Sequence, residues 1–371
     1  MKIAVIEIIP IRAPRKESVR SGTGANPVAT SEFGIVRIIA EDGIEGVGEI
    51  SITFPRIGFS LCHAARRLLV PLLIGKDPLC TPELLQTIDA ALVGELSAPY
   101  LRAAFEMALL DLKGRIYGIP VYELLGGKMR DAAPLAWSIY QKPPEEMAAD
   151  AAAAIANGFR AIKLKVGRDL ETDRLAVRAV ANATGGAVSL RLDANMAWRT
   201  VAQAMFAIDA LAAEAPIAWV EQPLGRDNLD GLRLLRMRSR VPIMADESLQ
   251  GLRDAYNVTR AEAADVFNVY VMKAGGLQAA RDIFSFASTV GIPCILGSQA
   301  ELGIGTAAAA HLAAAVVDLP YPIETFGPLR YPRDVVTAGW TIADGLLSPS
   351  DKPGLGVNLD WDVINAWRVD L

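Results

Sequence analysis

The chain has 371 residues, of which 52 % are hydrophobic and 21 % charged, and its formal net charge is −5. This length favours about two domains, and this composition excludes a disordered chain. An acidic chain without a basic face also makes nucleic acid a poor partner. The first residues are typical of a strand and not of a signal peptide, and no apolar run is long enough to span a bilayer. We therefore expect a cytoplasmic protein that does not enter a membrane.

The first 125 residues predict a compact α+β domain. Residues 2–12 and 33–49 are rich in Ile and Val and are expected to be strands, with Asp42-Gly43 forming a tight turn. Between them, residues 21–27 form a loop of small residues that is either a mobile flap or a plain hairpin loop. Periodicity and a high Ala and Leu content predict helices at residues 60–74, 82–95 and 98–117.

From about residue 133, short runs rich in Val, Ile and Leu alternate with Ala-rich helical segments. A strand–helix–strand repeat of roughly 30 residues is the βαβ pattern, whose right-handed crossovers produce a parallel sheet. Eight such runs predict a closed α/β barrel over residues 126–325, with its active site at the carboxyl ends of the strands. The predicted strands are Pro134–Ile139, Ala161–Val166, Val188–Leu192, Ala218–Val220, Pro242–Ala245, Val266–Val271, Pro293–Leu296 and Tyr321–Thr325.

An open, doubly wound sheet is the structural alternative to the barrel. No GxGxxG motif follows a predicted strand, which weakens a dinucleotide-binding version of that fold. Residues 326–371 lose the alternating pattern and are richer in Pro, Gly and Asp. We expect them to form a C-terminal segment that packs on the first domain.

Three acidic residues follow apolar strands at the spacing of one βα unit. Asp193, Glu221 and Asp246 are separated by 28 and 25 residues. Because consecutive strands are neighbours in a barrel, their carboxylates should converge at one rim, where mutual repulsion calls for a cation. Oxygen ligands of this kind suit Mg²⁺ or Mn²⁺. The alternative is that each acid caps a separate helix.

Three lysines add acid/base chemistry to this rim. Lys163 and Lys165 are two residues apart, so both should point into the barrel from one strand face. Neighbouring ammoniums should lower each other's pKa toward the range of a general base. Lys273 ends a strand roughly across the barrel, so a substrate between Lys165 and Lys273 would meet an ammonium on each face. The alternative is that the lysines are exposed to solvent, with Lys163 and Lys165 on an edge strand and Lys273 at the end of a strand.

Other polar residues are less decisive. Glu301 follows the seventh predicted strand and Glu324 lies near the eighth, and each is either a site residue or a structural hydrogen-bonding group. The two histidines, His63 and His311, fall in apolar segments that are expected to be helical, so catalysis by histidine is not expected. The cysteines lack CxxC spacing and predict neither a disulfide framework nor a zinc site.

Eight short motifs occur in order along nearly the whole chain. They are Lys163-x-Lys165, Asp193-x-Asn195, Glu221-Gln222-Pro223, Ala245-Asp246-Glu247-Ser248, Met272-Lys273-x-Gly275-Gly276, Ile304-Gly305-Thr306, Phe326-Gly327-Pro328 and Pro353-Gly354-Leu355-Gly356. Each motif is weak alone, but the set is specific. The chain resembles the enolase superfamily, and within it the muconate lactonizing enzyme subgroup.

This resemblance implies a modified (β/α)7β TIM-like barrel with an N-terminal α+β capping domain that the C-terminal segment completes. It implies Mg²⁺ or Mn²⁺ on the three carboxylates, acid/base roles for Lys165 and Lys273, and a tuning role for Lys163. Capping-domain loops at residues 21–26 and 51–56 would close over the substrate, a small carboxylate. Similar proteins are commonly homo-oligomers, either dimers or octamers. The residues expected to contact substrate are Asn26, Arg56, Asn195, Gln299, Glu301 and Glu324.

Departures from the family pattern narrow the expected reaction. The mandelate racemase subgroup uses a His–Asp pair where this chain has Lys273, which argues against mandelate and most sugar-acid substrates. Dipeptide epimerases carry Asp-x-Asp where this chain has Glu324-Thr325-Phe326, which is closer to cycloisomerases. Ser298-Gln299-Ala300 and Tyr270 also differ from the usual residues of this subgroup, so the motifs do not identify muconate itself as the substrate.

The leading hypothesis is a cycloisomerase that closes a lactone on a muconate-like dicarboxylate. All candidate reactions share one step, the removal or return of a proton alpha to a carboxylate through an enediolate. The same residues would serve racemisation or epimerisation of an amino-acid derivative, or loss of water to an o-succinylbenzoate-like product. A non-catalytic, metal-stabilised barrel is the more remote alternative.

Overall fold

The computed structural model describes residues 1–19, 28–52 and 56–370. The chain begins with an antiparallel sheet in the order β1-β2-β3, formed by Ile3–Val19, Val28–Ala40 and Glu45–Ser51. The expected tight turn joins β2 to β3, with Gly43 at a φ of 84°. β1 continues past the predicted residue 12 because Pro14 still pairs with Thr30.

The three helices predicted for this part are present. A close contact fixes the sheet against the longest of them, since a Cβ atom on Gly48 would lie 1.9 Å from the carbonyl oxygen of Ala104. A π-helical turn at Ala65–Leu69 joins α1 to α2. The helices are Gly58–Ala64 (α1), Val70–Leu73 (α2), Thr81–Ala91 (α3), Ala98–Tyr117 (α4) and Val121–Leu124 (α5).

The predicted α/β barrel is confirmed. Seven parallel strands follow each other around the sheet in chain order, from β5 to β11. A two-residue strand, Ala133–Pro134 (β4), precedes them and belongs to a separate sheet. The barrel strands are Ala136–Ile139 (β5), Ala161–Lys165 (β6), Ser189–Asp193 (β7), Ile217–Glu221 (β8), Ile243–Ala245 (β9), Val266–Val269 (β10) and Cys294–Leu296 (β11).

The eighth predicted strand, Tyr321–Thr325, is reduced to a single bridge. Ile323 pairs with Leu135, and its carbonyl accepts from the Ala136 N–H at 2.8 Å. The Glu324 N–H then donates to the Leu296 carbonyl at 2.9 Å. This segment, which we call the closing segment, therefore joins the two edge strands β5 and β11. Pro320 and Pro322 lack N–H groups, which prevents a longer ladder.

Helices cover the outside of the barrel, and the chain then returns to its beginning. Strands Trp340–Ala343 (β12) and Leu346–Pro349 (β13) form a small sheet with β4. Helix Trp361–Trp367 (α14) precedes Val369, whose N–H donates to the Pro10 carbonyl of β1 at 3.0 Å. The division of the chain at residues 125 and 325 stays a prediction. The barrel helices are Pro144–Ala156 (α6), Leu170–Thr184 (α7), Val201–Ala212 (α8), Leu229–Arg238 (α9), Leu252–Arg260 (α10), Val271–Ala274 (α11), Leu277–Val290 (α12) and Gly303–Ala315 (α13).

His311 lies in the fully buried helix α13, and its Nδ1 accepts from the Tyr122 N–H at 3.3 Å. Burial lowers the pKa of His311 to about 4. The unfolded chain therefore takes up this proton at a higher pH than the folded chain does. The contribution to stability is complete above roughly pH 6.5 and is lost as pH falls toward 4.

We expect the His311→Asn variant, which keeps an acceptor near Tyr122, to have a flatter stability profile than wild type. Between pH 7 and pH 5, wild type should lose about 2 kcal/mol more of its free energy of unfolding than the variant. Urea unfolding at the two pH values measures this difference. His63→Asn, at an exposed position of α1, is the control and should follow wild type. An equal decline in His311→Asn would contradict the prediction.

Across the described ranges, no helix combines the length and apolar character needed to cross a membrane.

Candidate active site

One pocket of about 660 Å³ opens at the carboxyl ends of the barrel strands. The N-terminal part of the chain lines it with Ile52, Ile57 and Tyr100, so the capping sheet and its helices form one wall. The barrel lines it with polar side chains from all seven of its strands or the turns after them. The predicted site residues among the lining are Lys163, Lys165, Asn195, Asp246, Lys273, Gln299 and Glu324.

The three predicted carboxylates lie at one rim of this barrel. Asp193 and Glu221 are the last residues of β7 and β8 and pair directly with each other. Asp246 follows β9, the next strand of the sheet. All three are buried. The three carboxylates therefore lie at the ends of neighbouring strands, because these strands end at the same level.

Lys163 and Lys165 point into the barrel from β6, as the two-residue spacing predicted. The Lys163 Nζ lies 3.4 Å from Asp193 Oδ2 and 3.2 Å from Glu221 Oε2, and it also contacts Glu324. The Lys165 Nζ lies 2.5 Å from Asp193 Oδ2 and 2.9 Å from Asn195 Oδ1. Both ammoniums therefore neutralise the same carboxylate rim.

The expectation that the lysine pair has a lowered pKa is wrong for this arrangement. Burial lowers the pKa of Lys163, but Glu221, Glu324 and Asp193 outweigh burial and raise it well above its usual range. Burial likewise lowers the pKa of Lys165, while Asp193 more than compensates and raises it. Attraction to buried carboxylates exceeds repulsion between the two ammoniums, because the carboxylates are more numerous.

Lys273 reaches the same rim from the short helix α11 and not, as predicted, from the end of a strand. Its Nζ donates to the carbonyls of Asp246 at 2.8 Å and Asn268 at 2.9 Å, and it contacts the Asp246 carboxylate. The ammonium lies 4.1 Å from the centre of the Tyr270 ring. The Tyr270 hydroxyl donates to Asp246 Oδ2 at 3.2 Å. Lys273 is thus held by two backbone carbonyls, one carboxylate and one aromatic ring.

The two glycines after Lys273 have backbone conformations that favour glycine, and the second also lies close to α4. Gly275 and Gly276 have φ values of 92° and 133°, which favour glycine. A Cβ atom on Gly276 would lie 1.8 Å from Oε2 of Glu106, a fully buried residue of α4. A side chain at this position would therefore have to displace the buried Glu106 carboxylate, where the turn that carries Lys273 meets the capping domain.

With Lys273 as the expected acid/base group, Gly276→Ala should lower turnover by about 10²-fold, because a displacement of about 1 Å is enough to cause such a loss. The free energy of unfolding should also fall by about 1–3 kcal/mol from backbone strain. Kinetics and urea unfolding measure the two effects. Gly251→Ala is the matched control, since a Cβ there would meet nothing within 4 Å. Wild-type turnover in Gly276→Ala would show that the contact with Glu106 does not position Lys273.

The predicted substrate contacts have different surroundings. Asn195 donates from Nδ2 to Glu247 Oε1 at 3.2 Å and has a φ of 42°. Glu301 accepts from the Gln299 N–H at 2.8 Å and from Ser298, and it does not line the pocket. Arg56 is exposed and also lies outside the lining. Asn26 lies outside the described residues.

Several polar residues of the site were missed from sequence. Asn268 donates to Glu221 Oε1 at 2.9 Å, and its position two residues before Tyr270 on β10 was the signal that both face the interior. Glu247 lines the pocket, and burial, with Asp246 and Asp193, raises its pKa to about 8. Tyr140 lines the pocket as well, although no motif marked it.

The chemistry of the rim fits a divalent cation. In the described residues, no three Asp, Glu, His or Cys side chains are grouped closely enough to hold a metal ion as they stand. Lysine ammoniums lie among the carboxylates instead. Burial and the Asp193 charge raise the pKa of Glu221 well above its usual range. A divalent cation held by these carboxylates would offset the cost of burying their negative charges side by side.

A parallel barrel with lysines and carboxylates around one pocket, with a capping sheet forming one wall, is the architecture that the resemblance to the enolase superfamily implies. Two family models match this chain: "Mandelate racemase / muconate lactonizing enzyme, N-terminal domain" over residues 6–126 and "Enolase C-terminal domain-like" over residues 146–363. The chain belongs to the mandelate racemase/muconate lactonizing enzyme family of the enolase superfamily.

Similar proteins with known activities include two kinds of isomerase. The L-Ala-D/L-Glu epimerase of Bacillus subtilis is 37% identical over 366 residues, covering 96% of this chain and 97% of that protein. The chloromuconate cycloisomerase of Cupriavidus pinatubonensis is 33% identical and covers 99% of each. The structure of the muconate lactonizing enzyme from Pseudomonas fluorescens with muconolactone has a TM-score of 0.93 at 33% identity, covering 99% of each chain.

Proposed function

We propose that this protein removes or returns a proton alpha to a carboxylate, with Lys165 and Lys273 as the acid/base groups. The observation that carries the proposal is that both lysines line one pocket while each contacts a different carboxylate of the rim. β6 and β10 are four strands apart around the barrel. A substrate between them would therefore present one face to each lysine.

We propose that Asp193, Glu221 and Asp246 hold Mg²⁺, or Mn²⁺ in its place. The cation would stabilise the negative charge that develops on the substrate carboxylate as the α-proton leaves. A cation on these carboxylates would also compete with the ammoniums for the same negative charge, and so bring the lysine pKa values down toward neutrality. Lys163, which lines the pocket but is paired with Glu221 and Glu324, would tune Lys165.

The reaction best supported is a muconate cycloisomerase-like closure of a lactone. Its support is the similarity to muconate and chloromuconate cycloisomerases, together with Glu324-Thr325-Phe326 beside the pocket. Racemisation or epimerisation of an amino-acid derivative is the second candidate, favoured by the 37% identity to a dipeptide epimerase. Dehydration to an o-succinylbenzoate-like product would use the same residues.

Exchange of the α-proton in ²H₂O tests the shared step. The protein with Mg²⁺ is incubated with muconolactone, a dipeptide, an N-succinyl amino acid and a succinylbenzoate, and deuterium incorporation is followed by NMR. Incorporation into at least one of them is expected, and its stereochemistry distinguishes racemisation from lactone chemistry. Failure of every carboxylate to exchange while Mg²⁺ binds would favour the non-catalytic barrel.

We further propose a cytoplasmic homo-oligomer, either a dimer or an octamer. The support is the resemblance to proteins that assemble in this way. Light scattering on the purified protein measures the mass directly, and a monomer at micromolar concentration would exclude this part of the proposal.

A further inference from the structure

A second charged cluster lies behind the pocket wall formed by Tyr140. Tyr140 follows β5 and lines the pocket together with Ser138, Lys165 and Phe326. Behind it lie two arginines, Arg15 from β1 and Arg330 from the turn of 3₁₀-helix Gly327–Arg330. The two come from segments more than 300 residues apart in sequence, so only the fold brings them together.

Arg330 is stacked among aromatic rings. Its guanidinium carbon lies 3.9 Å from the centre of the Trp137 ring and 5.1 Å from those of Tyr140 and Phe326. It donates to the Ser138 carbonyl. The side chain is only 8% exposed, and its Nε has no hydrogen-bond partner within the part of the chain that the structure describes. The rings fix its position without neutralising its charge.

Arg15 is equally buried, and its side chain acts on the Tyr140 hydroxyl. It is 8% exposed, its Nε donates to Ser31 Oγ at 2.9 Å, and its guanidinium carbon lies 5.4 Å from the Tyr331 ring centre. Both terminal nitrogens are buried without an ideal hydrogen bond to described residues, although the side chain lies near enough to the Tyr140 hydroxyl to lower the pKa of that phenol. The side-chain amide of Gln141, next to Tyr140, is also buried without a partner there.

No carboxylate side chain of the described residues forms an ion pair with either arginine of this cluster. Within residues 1–19, 28–52 and 56–370, neither arginine of the cluster has an ion-pair partner within 4.0 Å. The acids that act on Arg330, Asp150 and Glu17, are already held by Lys142 at 3.2 Å and 2.8 Å. Residues 20–27 and 53–55 contain no Asp or Glu. Buried cations without a counter-charge are costly, so a ligand anion would gain by supplying one.

We propose that the pocket wall at Tyr140, with Arg15 and Arg330 behind it, binds a second anionic group of the substrate. This group is distinct from the carboxylate beside which the proton is exchanged. The proposal rests on the proposed function and names its substrate class, a dianion such as a dicarboxylic acid or an N-succinyl amino acid. A substrate with a neutral or cationic distal end is disfavoured.

The electrostatics of Tyr140 agree with this role. Burial raises the pKa of its phenol, but Arg330, Arg15 and Lys165 outweigh burial and lower the pKa overall. A phenol in such positive surroundings is a stronger hydrogen-bond donor toward an anion. The distal anion would then accept from the Tyr140 hydroxyl while its charge compensates the two guanidiniums behind the ring.

Matched substrate pairs test the proposal. Each dicarboxylate is compared with its distal monomethyl ester, both by α-proton exchange and by calorimetric binding to the Mg²⁺-loaded protein. Wild type should prefer the dianion by 10–100-fold in KM and in Kd. Arg15→Gln and Tyr140→Phe should remove most of this preference, raising KM for the dianion while changing kcat and the ester's KM little. Arg12→Gln, an exposed arginine on the same strand, should leave the preference intact.

The outcomes separate this proposal from the proposed function. Equal use of dianion and ester by wild type, or a preference that survives both variants, overturns the distal anion site while catalysis stands. If no carboxylate exchanges its proton, the proposed function fails, and binding of the dianion over the ester still decides the anion site. Tyr140→Phe preserves the ring that packs on Arg330, so it serves if Arg15→Gln does not fold.

Discussion

Replacing Lys165 with alanine should reduce α-proton exchange by about 10³-fold or more while the protein remains folded. Lys165 lines the pocket, and its ammonium is held by Asp193 and Asn195, so its removal leaves one face of the substrate without an acid/base group. The measurement is deuterium incorporation at saturating substrate, with circular dichroism to confirm folding. Unchanged exchange in this variant would refute the mechanism.

Two further variants separate proton transfer from simple charge neutralisation. Lys165→Arg retains a cation next to Asp193 but cannot lose its proton near neutral pH, so its exchange should be as slow as that of the alanine variant. Lys352→Ala removes an exposed lysine and should behave as wild type. Recovery of exchange in Lys165→Arg would mean that Lys165 acts only as a charge.

Removing divalent cations should lower exchange by about 10³-fold or more, and added Mg²⁺ or Mn²⁺ should restore it. Glu221→Gln should lose measurable Mg²⁺ binding, because Glu221 is the central member of the three rim carboxylates. Isothermal calorimetry measures binding, and the exchange assay measures the consequence. Glu41→Gln, at an exposed position, is the control. Full exchange in excess chelator would exclude a metal-dependent reaction.

The positions of the catalytic candidates could be predicted because they follow from local periodicity. The two-residue spacing of Lys163 and Lys165 decides which face they share, and the spacing of Asp193, Glu221 and Asp246 decides that their strands end together. Both the shared face of the lysines and the common level of the carboxylates follow once the strands are known to form a parallel sheet. The barrel itself was predictable for the same reason.

What the sequence did not reveal depends on contacts between distant segments. Burial lowers the pKa of Lys163, but Glu221 and Glu324 raise it overall. The prediction of a lowered pKa considered only the neighbouring ammonium of Lys165. Arg15 of the first strand and Arg330 after the barrel both lie behind Tyr140. No sequence motif predicts that these two distant residues are neighbours. The eighth predicted strand, residues 321–325, is longer than the single bridge that the structure has, because Pro322 lacks the N–H group that a longer ladder needs.

The closing segment has a consequence for how this enzyme assembles. Besides its backbone hydrogen bonds to the two edges of the sheet, it is held from inside the barrel, where Arg191 donates to the Pro322 carbonyl at 2.9 Å and Lys163 contacts Glu324. These two cations belong to β6 and β7, the strands that also present Lys165 and Asp193. In a folding intermediate whose closing segment is not yet bound to the barrel, the proposed acid/base residues would therefore lack part of their surroundings. We expect the barrel to close and the enzyme to become active in the same cooperative folding step.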